Sequence, residues 1–154
     1  MLRTLFFEYP EDRTSWLVED EYLFGTDILV APLMEEARSR DVYLPPGRWS
    51  DYQDGKTYEG TRWHHLHAGE IPVVMLVTNG TAVPHARLAQ STGSIEWGEI
   101  ELRIFGAGDS AEGYFCHPED EALHVLRLAR EGDGLELEED PLGGRVNWSI
   151  STAP

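Results

Sequence analysis

His64, His65 and His67 crowd into four positions, a grouping of the kind that can hold a metal. On a strand His65 and His67 share a face and His64 turns away. A zinc site would then need a further ligand, such as His85 or His117, since tetrahedral sites take three or four converging donors. Surface histidines on an edge strand account for the same triplet, so no metal and no cofactor is expected. Acid–base cleavage of an acetal needs two carboxylates about 5 to 10 Å apart in a cleft. With 28 acidic residues, spacing cannot single out such a pair. Glu19-Asp20-Glu21 and Glu35-Glu36 fall on an expected helix and a connector, where exposed acids are usual. Cys116 precedes His117, but adjacent residues of a strand point apart, which argues against a thiol–imidazole pair. Gly106-Ala-Gly108 lacks the helix and lysine of a phosphate loop. Trp49, Tyr52, Tyr58 and Trp63 are spaced to pack across a hairpin. Aromatic rings also stack on sugar faces, yet period-two aromatics are what sheets bury, so Trp49 and Trp63 are expected to be packing residues. Taken alone, these residues show no complete active site.

The elements that must carry these residues are mostly short strands. Leu2–Tyr9 is an apolar run of β character stopped by Pro10. Thr14 caps an expected helix over Ser15–Phe24, with Gly25 as its left-handed stop. Asp27–Leu33 is a continuous apolar run, the pattern of a strand buried on both faces in a parallel sheet. After Met34 the texture changes to short strands and turns at roughly ten-residue spacing, the all-β signature. These are Asp41–Leu44, Arg48–Tyr52, a hairpin signal at Asp54-Gly55, Thr57–Glu59, Thr61–His67, Ile71–Val77, a turn at Asn79-Gly80, and Thr81–Val83. A connector over 85–93 leads to a third block with strands at Ile95–Phe105, Gly113–Cys116, Leu123–Leu128, Leu135–Leu137 and Arg145–Ser151.

Composition excludes several classes. The chain has 154 residues, 12 basic against 28 acidic, and a net charge of −16. Phosphate binding needs a basic surface, so nucleic acid is excluded as a partner, and anionic membranes repel the chain. No segment approaches the ~20 apolar residues of a membrane span. Glu8 and Pro10 interrupt any leader-like run. One cysteine allows no internal disulfide. A cytoplasmic location is the expectation. Eleven of the twelve basic residues are arginine, Lys56 being the exception; a salt-rich cytoplasm and a GC-rich genome both produce that bias, the genome being the commoner cause.

The order of motifs carries a resemblance. Leu5-Phe-Phe-Glu-Tyr-Pro10, Asp20-Glu-Tyr-Leu-Phe-Gly25, Ile28-Leu-Val-Ala-Pro32, Val42-Tyr-Leu-Pro45, Gly47-Arg-Trp49, Asp54-Gly55 and Ile71-Pro-Val73 resemble the C-terminal part of glycoside hydrolase family 31. That family holds α-glucosidases, α-xylosidases and related retaining enzymes. The stretch Ile95–Phe115 is similar to the distal β domain of its α-xylosidase-like branch.

The resemblance implies a mainly β chain, with two small antiparallel β-sandwich-like domains preceded by the last strands of an incomplete (β/α)8 barrel. Residues 1–34 would end the catalytic barrel, 35–84 form the proximal C-terminal β domain, and 85–154 the distal one. The family's two catalytic aspartates lie upstream of the matched segment, and no residue here aligns with them. The chain is therefore expected to be a fragment of a retaining α-glycoside hydrolase and inactive alone. Phe7, Glu8 and Tyr9 are the candidates for a substrate-cleft loop, because barrel active sites sit at the C-terminal ends of the strands. The implied partner is an α-linked oligosaccharide, reached through the catalytic barrel, and the full-length enzyme is open to self-association. The competing expectation is a non-catalytic carbohydrate-binding or assembly module.

Overall fold

The computed structural model describes residues 1–153. The chain is mainly β, as expected, and divides into two compact units, 1–79 and 80–153. Among the described residues no helix is long and apolar enough to cross a membrane.

In the first unit, β1 (Leu2–Thr4) passes into a single helical turn, α1 (Leu5–Glu8). β2 (Tyr22–Phe24), β3 (Ile28–Pro32), β4 (Ser39–Leu44), β5 (Arg48–Asp51), β6 (Thr57–Glu59), β7 (Arg62–His67) and β8 (Val73–Thr78) follow. Six of these strands make one sheet in the order β1-β2-β3-β8-β5-β6, and β4 pairs with β7 as a separate ribbon. The core lies where sheet and ribbon meet. Leu23, Leu29, Ala31, Trp49, Val74 and Leu76 from the sheet pack with Val42, Tyr43, Leu44 and Leu66 from the ribbon.

Three local expectations are corrected here. The run at Leu2–Tyr9 is not one strand: β1 ends at Thr4, and the Tyr9 N–H closes a helical turn on the Leu5 carbonyl at 2.8 Å. No helix spans Ser15–Phe24. Asp12 accepts from the Thr14 N–H at 3.0 Å and the Ser15 hydroxyl at 2.9 Å, which confines the coil to one 3-10 turn at Thr14–Trp16. Tyr22–Phe24 then pairs with both β1 and β3, so tertiary pairing overrides local helical spacing. Gly25, at φ +74°, serves the β2–β3 hairpin rather than a helix end. Finally, β3 is antiparallel to both its neighbours, β2 and β8. Its apolar run arises because Leu29, Val30 and Ala31 are all buried in an interior strand, without a parallel sheet.

The second unit is one six-stranded sheet. β9 (Thr81–Ala86), β10 (Glu99–Phe105), β11 (Ser110–Cys116), β12 (Leu123–Glu131), β13 (Gly134–Leu137) and β14 (Asn147–Thr152) lie in the order β13-β12-β11-β9-β10-β14. β14 runs parallel to β10, and β9 meets β11 in parallel. Ala82, Leu102, Ile104, Phe115, Leu126 and Leu128 build its core, with Leu142 and Val146 from the connection to β14. Gly113 is required by close approach, since a Cβ there would stand 2.1 Å from the Ala82 carbonyl oxygen.

Candidate functional site

The segment expected to face a substrate cleft is anchored rather than free. Phe7 is 70% exposed on α1. Glu8 is held by Arg3, whose Nη1 donates at 2.6 Å. Tyr9 packs against the first core, and burial, with Glu8 and Asp27 nearby, pushes its phenol up to about 12. Of these three, Phe7 and Glu8 reach the surface, while Tyr9 is half-buried packing.

Two further acids tie this segment to the ribbon. Asp12 accepts from the Tyr43 hydroxyl at 2.7 Å. Burial opposes its ionisation, but the hydrogen bonds from Tyr43, Ser15 and Thr14 prevail and hold the carboxyl below its usual range. Glu21 Oε1 accepts from the Tyr43 N–H at 2.8 Å. Tyr43 is thus gripped at its backbone and at its hydroxyl by the same stretch of chain. Glu21 Oε2 is buried and finds no hydrogen-bond partner. Burial raises the Glu21 carboxyl to about 7; the Tyr43 N–H and Arg40 pull against that rise and Asp20 adds to it. Arg40 lies 3.9 Å from Glu21 but commits itself to the Asp20 carboxylate and to the Pro32 carbonyl at 2.7 Å.

The local pattern suggests an exposed helix acid at Glu21, whereas the structure buries it. It is buried because its neighbours Tyr22–Phe24 form a strand, and the strand's register, invisible in the local pattern, turns Glu21 inward. Glu8, Asp12 and Glu21 are thus each held by structural partners.

The histidine cluster resolves into separate contacts. His64 meets the Glu59 carbonyl at 2.8 Å and the edge of Tyr58. His65 bonds Asp41 at 2.8 Å and the Ser39 hydroxyl at 3.1 Å, and its ring meets His67 edge-on. Among the described residues, no three His, Cys, Asp or Glu side chains converge to hold a metal ion. Cys116 is exposed and His117 buried, so the two point apart. The paired tryptophans separate. Trp49 is fully buried and its indole N–H donates to the Pro45 carbonyl at 2.9 Å, as a packing residue should. Trp63 is 52% exposed, against expectation, because it lies on the outward face of β7, where Tyr43 tilts against its ring.

Cavities open on the surface at the described residues. One of about 410 Å³ is walled by the exposed connector between Arg87 and Glu96 and holds no cluster of reactive groups. Another, about 350 Å³, lies beside Arg40, Asp41 and His65.

The described chain is built of two β-rich units. Residues 1–83 match the model of the glycosyl hydrolase family 31 C-terminal domain, and the chain belongs to that family. It is 33% identical to the alpha-xylosidase of Emericella nidulans, over 96% of this chain and 22% of that protein. It is 32% identical to an alpha-glucosidase of Hordeum vulgare, over 96% of this chain and 16% of that protein. The fold is also that of the alpha-xylosidase from Xanthomonas citri, with a TM-score of 0.75 at 21% identity, over 99% of this chain and 18% of that one. The chain thus spans less than a quarter of the length of the relatives it matches.

Proposed function

We propose that this chain is the C-terminal β region of a retaining α-glycoside hydrolase of the α-xylosidase or α-glucosidase type, acting on α-linked oligosaccharides in carbohydrate metabolism. It supports a catalytic barrel and carries none of the reacting acids. In the complete mechanism one carboxylate attacks the anomeric carbon and a second acid protonates the leaving oxygen. Water then releases the sugar from the covalent intermediate. The observation that carries this reading is the alignment of nearly the whole chain with an alpha-xylosidase and an alpha-glucosidase.

The surface of the N-terminal segment supports it. Leu2 and Phe24 are cross-strand partners, Phe6 stacks on Trp16 with ring centroids 5.2 Å apart, and Phe7 and Leu17 stand nearby in sequence. All six are exposed, and so many large apolar side chains on one short segment suit a surface that a neighbour covers. A barrel neighbour would cover it. The exposed Cys116 thiol suits a reducing, cytoplasmic setting.

The test has two arms. The chain alone, assayed on aryl α-xylosides and α-glucosides, should show no turnover. Grafted in place of the matching region of the Emericella nidulans relative, it should support hydrolysis. A soluble but inert graft would refute the reading. So would turnover by the chain alone that disappears on changing Glu8 or Glu21 to glutamine.

A further inference from the structure

Trp63 stands apart from the other tryptophans of the first unit. Trp49 is buried in the core, and Trp16 stacks on Phe6 in the apolar N-terminal segment. Trp63 sits on β7, and the residues beside it on its own face are polar. In the antiparallel register Tyr43 faces Trp63, Asp41 faces His65 and Ser39 faces His67. Side chains alternate along a strand, so these six form one stripe: an aromatic pair at one end, hydrogen-bonding groups beyond it. Tyr43 tilts against the indole at 5.5 Å, which props one side of the ring and leaves the rest open. Asp41 spends Oδ1 on His65 and, at 72% side-chain exposure, leaves its other oxygen to solvent. The 350 Å³ cavity adjoins this polar end, with Leu33 and Met34 forming an apolar wall. That volume falls within the span of about 300–1,000 Å³ usual for small-molecule sites.

From this arrangement we infer a sugar-binding subsite on the β4–β7 ribbon. An open indole accepts the C–H face of a pyranose ring, and carboxylate, imidazole and hydroxyl groups pair with ring hydroxyls. Alternate side chains of a strand lie about 7 Å apart, so Trp63 and the cavity beside His65 can take neighbouring parts of one oligosaccharide. The charges select a neutral ligand. Asp20, Glu35 and Asp41 line the cavity, and its one arginine, Arg40, is already paired with Asp20, so an anionic ligand is disfavoured there. Ser39, Asp41, His65 and His67 offer hydrogen-bonding groups that suit sugar hydroxyls. The choice of α-linked glucosyl or xylosyl chains as ligand rests on the function proposed above; the location of the site does not.

The experiment is a titration of the isotopically labelled chain with isomaltotriose and with an α-xylosyl-1,6-glucose disaccharide, with cellotriose as the β-linked control. Saturable shifts are expected at Asp41, Trp63 and His65. Trp63→Ala should weaken binding at least about tenfold, the scale of one lost stacking contact, with an unchanged melting midpoint. Trp63→Tyr should keep most of the affinity, and Asp41→Asn should weaken it several-fold; these two variants decide the matter if Trp63→Ala unfolds. Shifts confined to other residues, binding indifferent to all three changes, or no saturation with any sugar would overturn the subsite. Preference for cellotriose would overturn the α-linked assignment. None of these failures touches the hydrolase reading, which stands or falls on the activity of the graft.

Discussion

Replacing Glu21 with glutamine should make the protein more stable at alkaline pH. The side chain has no solvent exposure, one oxygen accepts the Tyr43 N–H at 2.8 Å, and the other has no partner. Burial lifts the carboxyl from 4.5 to about 7. Below the lower value both folded and unfolded chains hold the proton, and the group costs nothing as a charge. Between the two values the unfolded chain releases its proton first, so stability falls as pH rises. Above about 7 the full cost of a buried carboxylate is present. The separation corresponds to roughly 3 kcal/mol, or on the order of 10 °C in melting midpoint for a chain of this size. Glu21→Gln keeps an oxygen for the Tyr43 N–H and cannot ionise. Thermal and urea midpoints of variant and parent should coincide near pH 4.5 and diverge towards pH 8.5, with the variant higher. A variant less stable than its parent at pH 8.5 would show that attraction to Arg40, 3.9 Å away, outweighs desolvation, and the reasoning would fail.

Two other substitutions test the packing of the units. Trp49→Ala removes a fully buried indole and its bond to Pro45, and should cost about 3–5 kcal/mol in urea unfolding; an unchanged midpoint would mean that the ribbon does not close over the sheet as described. Gly113→Ala places a methyl group 2.1 Å from the Ala82 carbonyl oxygen, and should lower the stability of the second unit by about 1–3 kcal/mol through overpacking. Loss of amide-exchange protection in β9 and β11 would be the specific sign, and full retention would contradict the close approach of these strands.

Much of this architecture is legible without coordinates. Turn residues at Pro45-Pro46-Gly47, Asp54-Gly55 and Asn79-Gly80 act through their own backbone preferences, so they mark strand ends wherever they occur. The alternation through Ile100, Leu102 and Ile104 commits one face of β10 to a core, and the structure buries all three. The family, too, is written in linear order, because motifs from Leu5 to Val73 keep their spacing whatever packs around them.

What the sequence could not decide is where neither propensity nor period is strong. Ser15–Phe24 has helical spacing, but Asp12 competes for its first donors and β1 and β3 offer Tyr22–Phe24 a ladder. The apolar run of β3 reads the same in a parallel or an antiparallel sheet, since burial on both faces leaves the same residues in either case. Glu21 and Trp63 show the limit most plainly. Each lies in a stretch whose composition suggests the opposite environment, an acid among acids and an aromatic among aromatics. A shift of one residue in register exchanges inside for outside. The pairing of β4 with β7 and of β2 with its neighbours therefore decided which acid was buried and which indole was left open, and only long-range contacts set those registers.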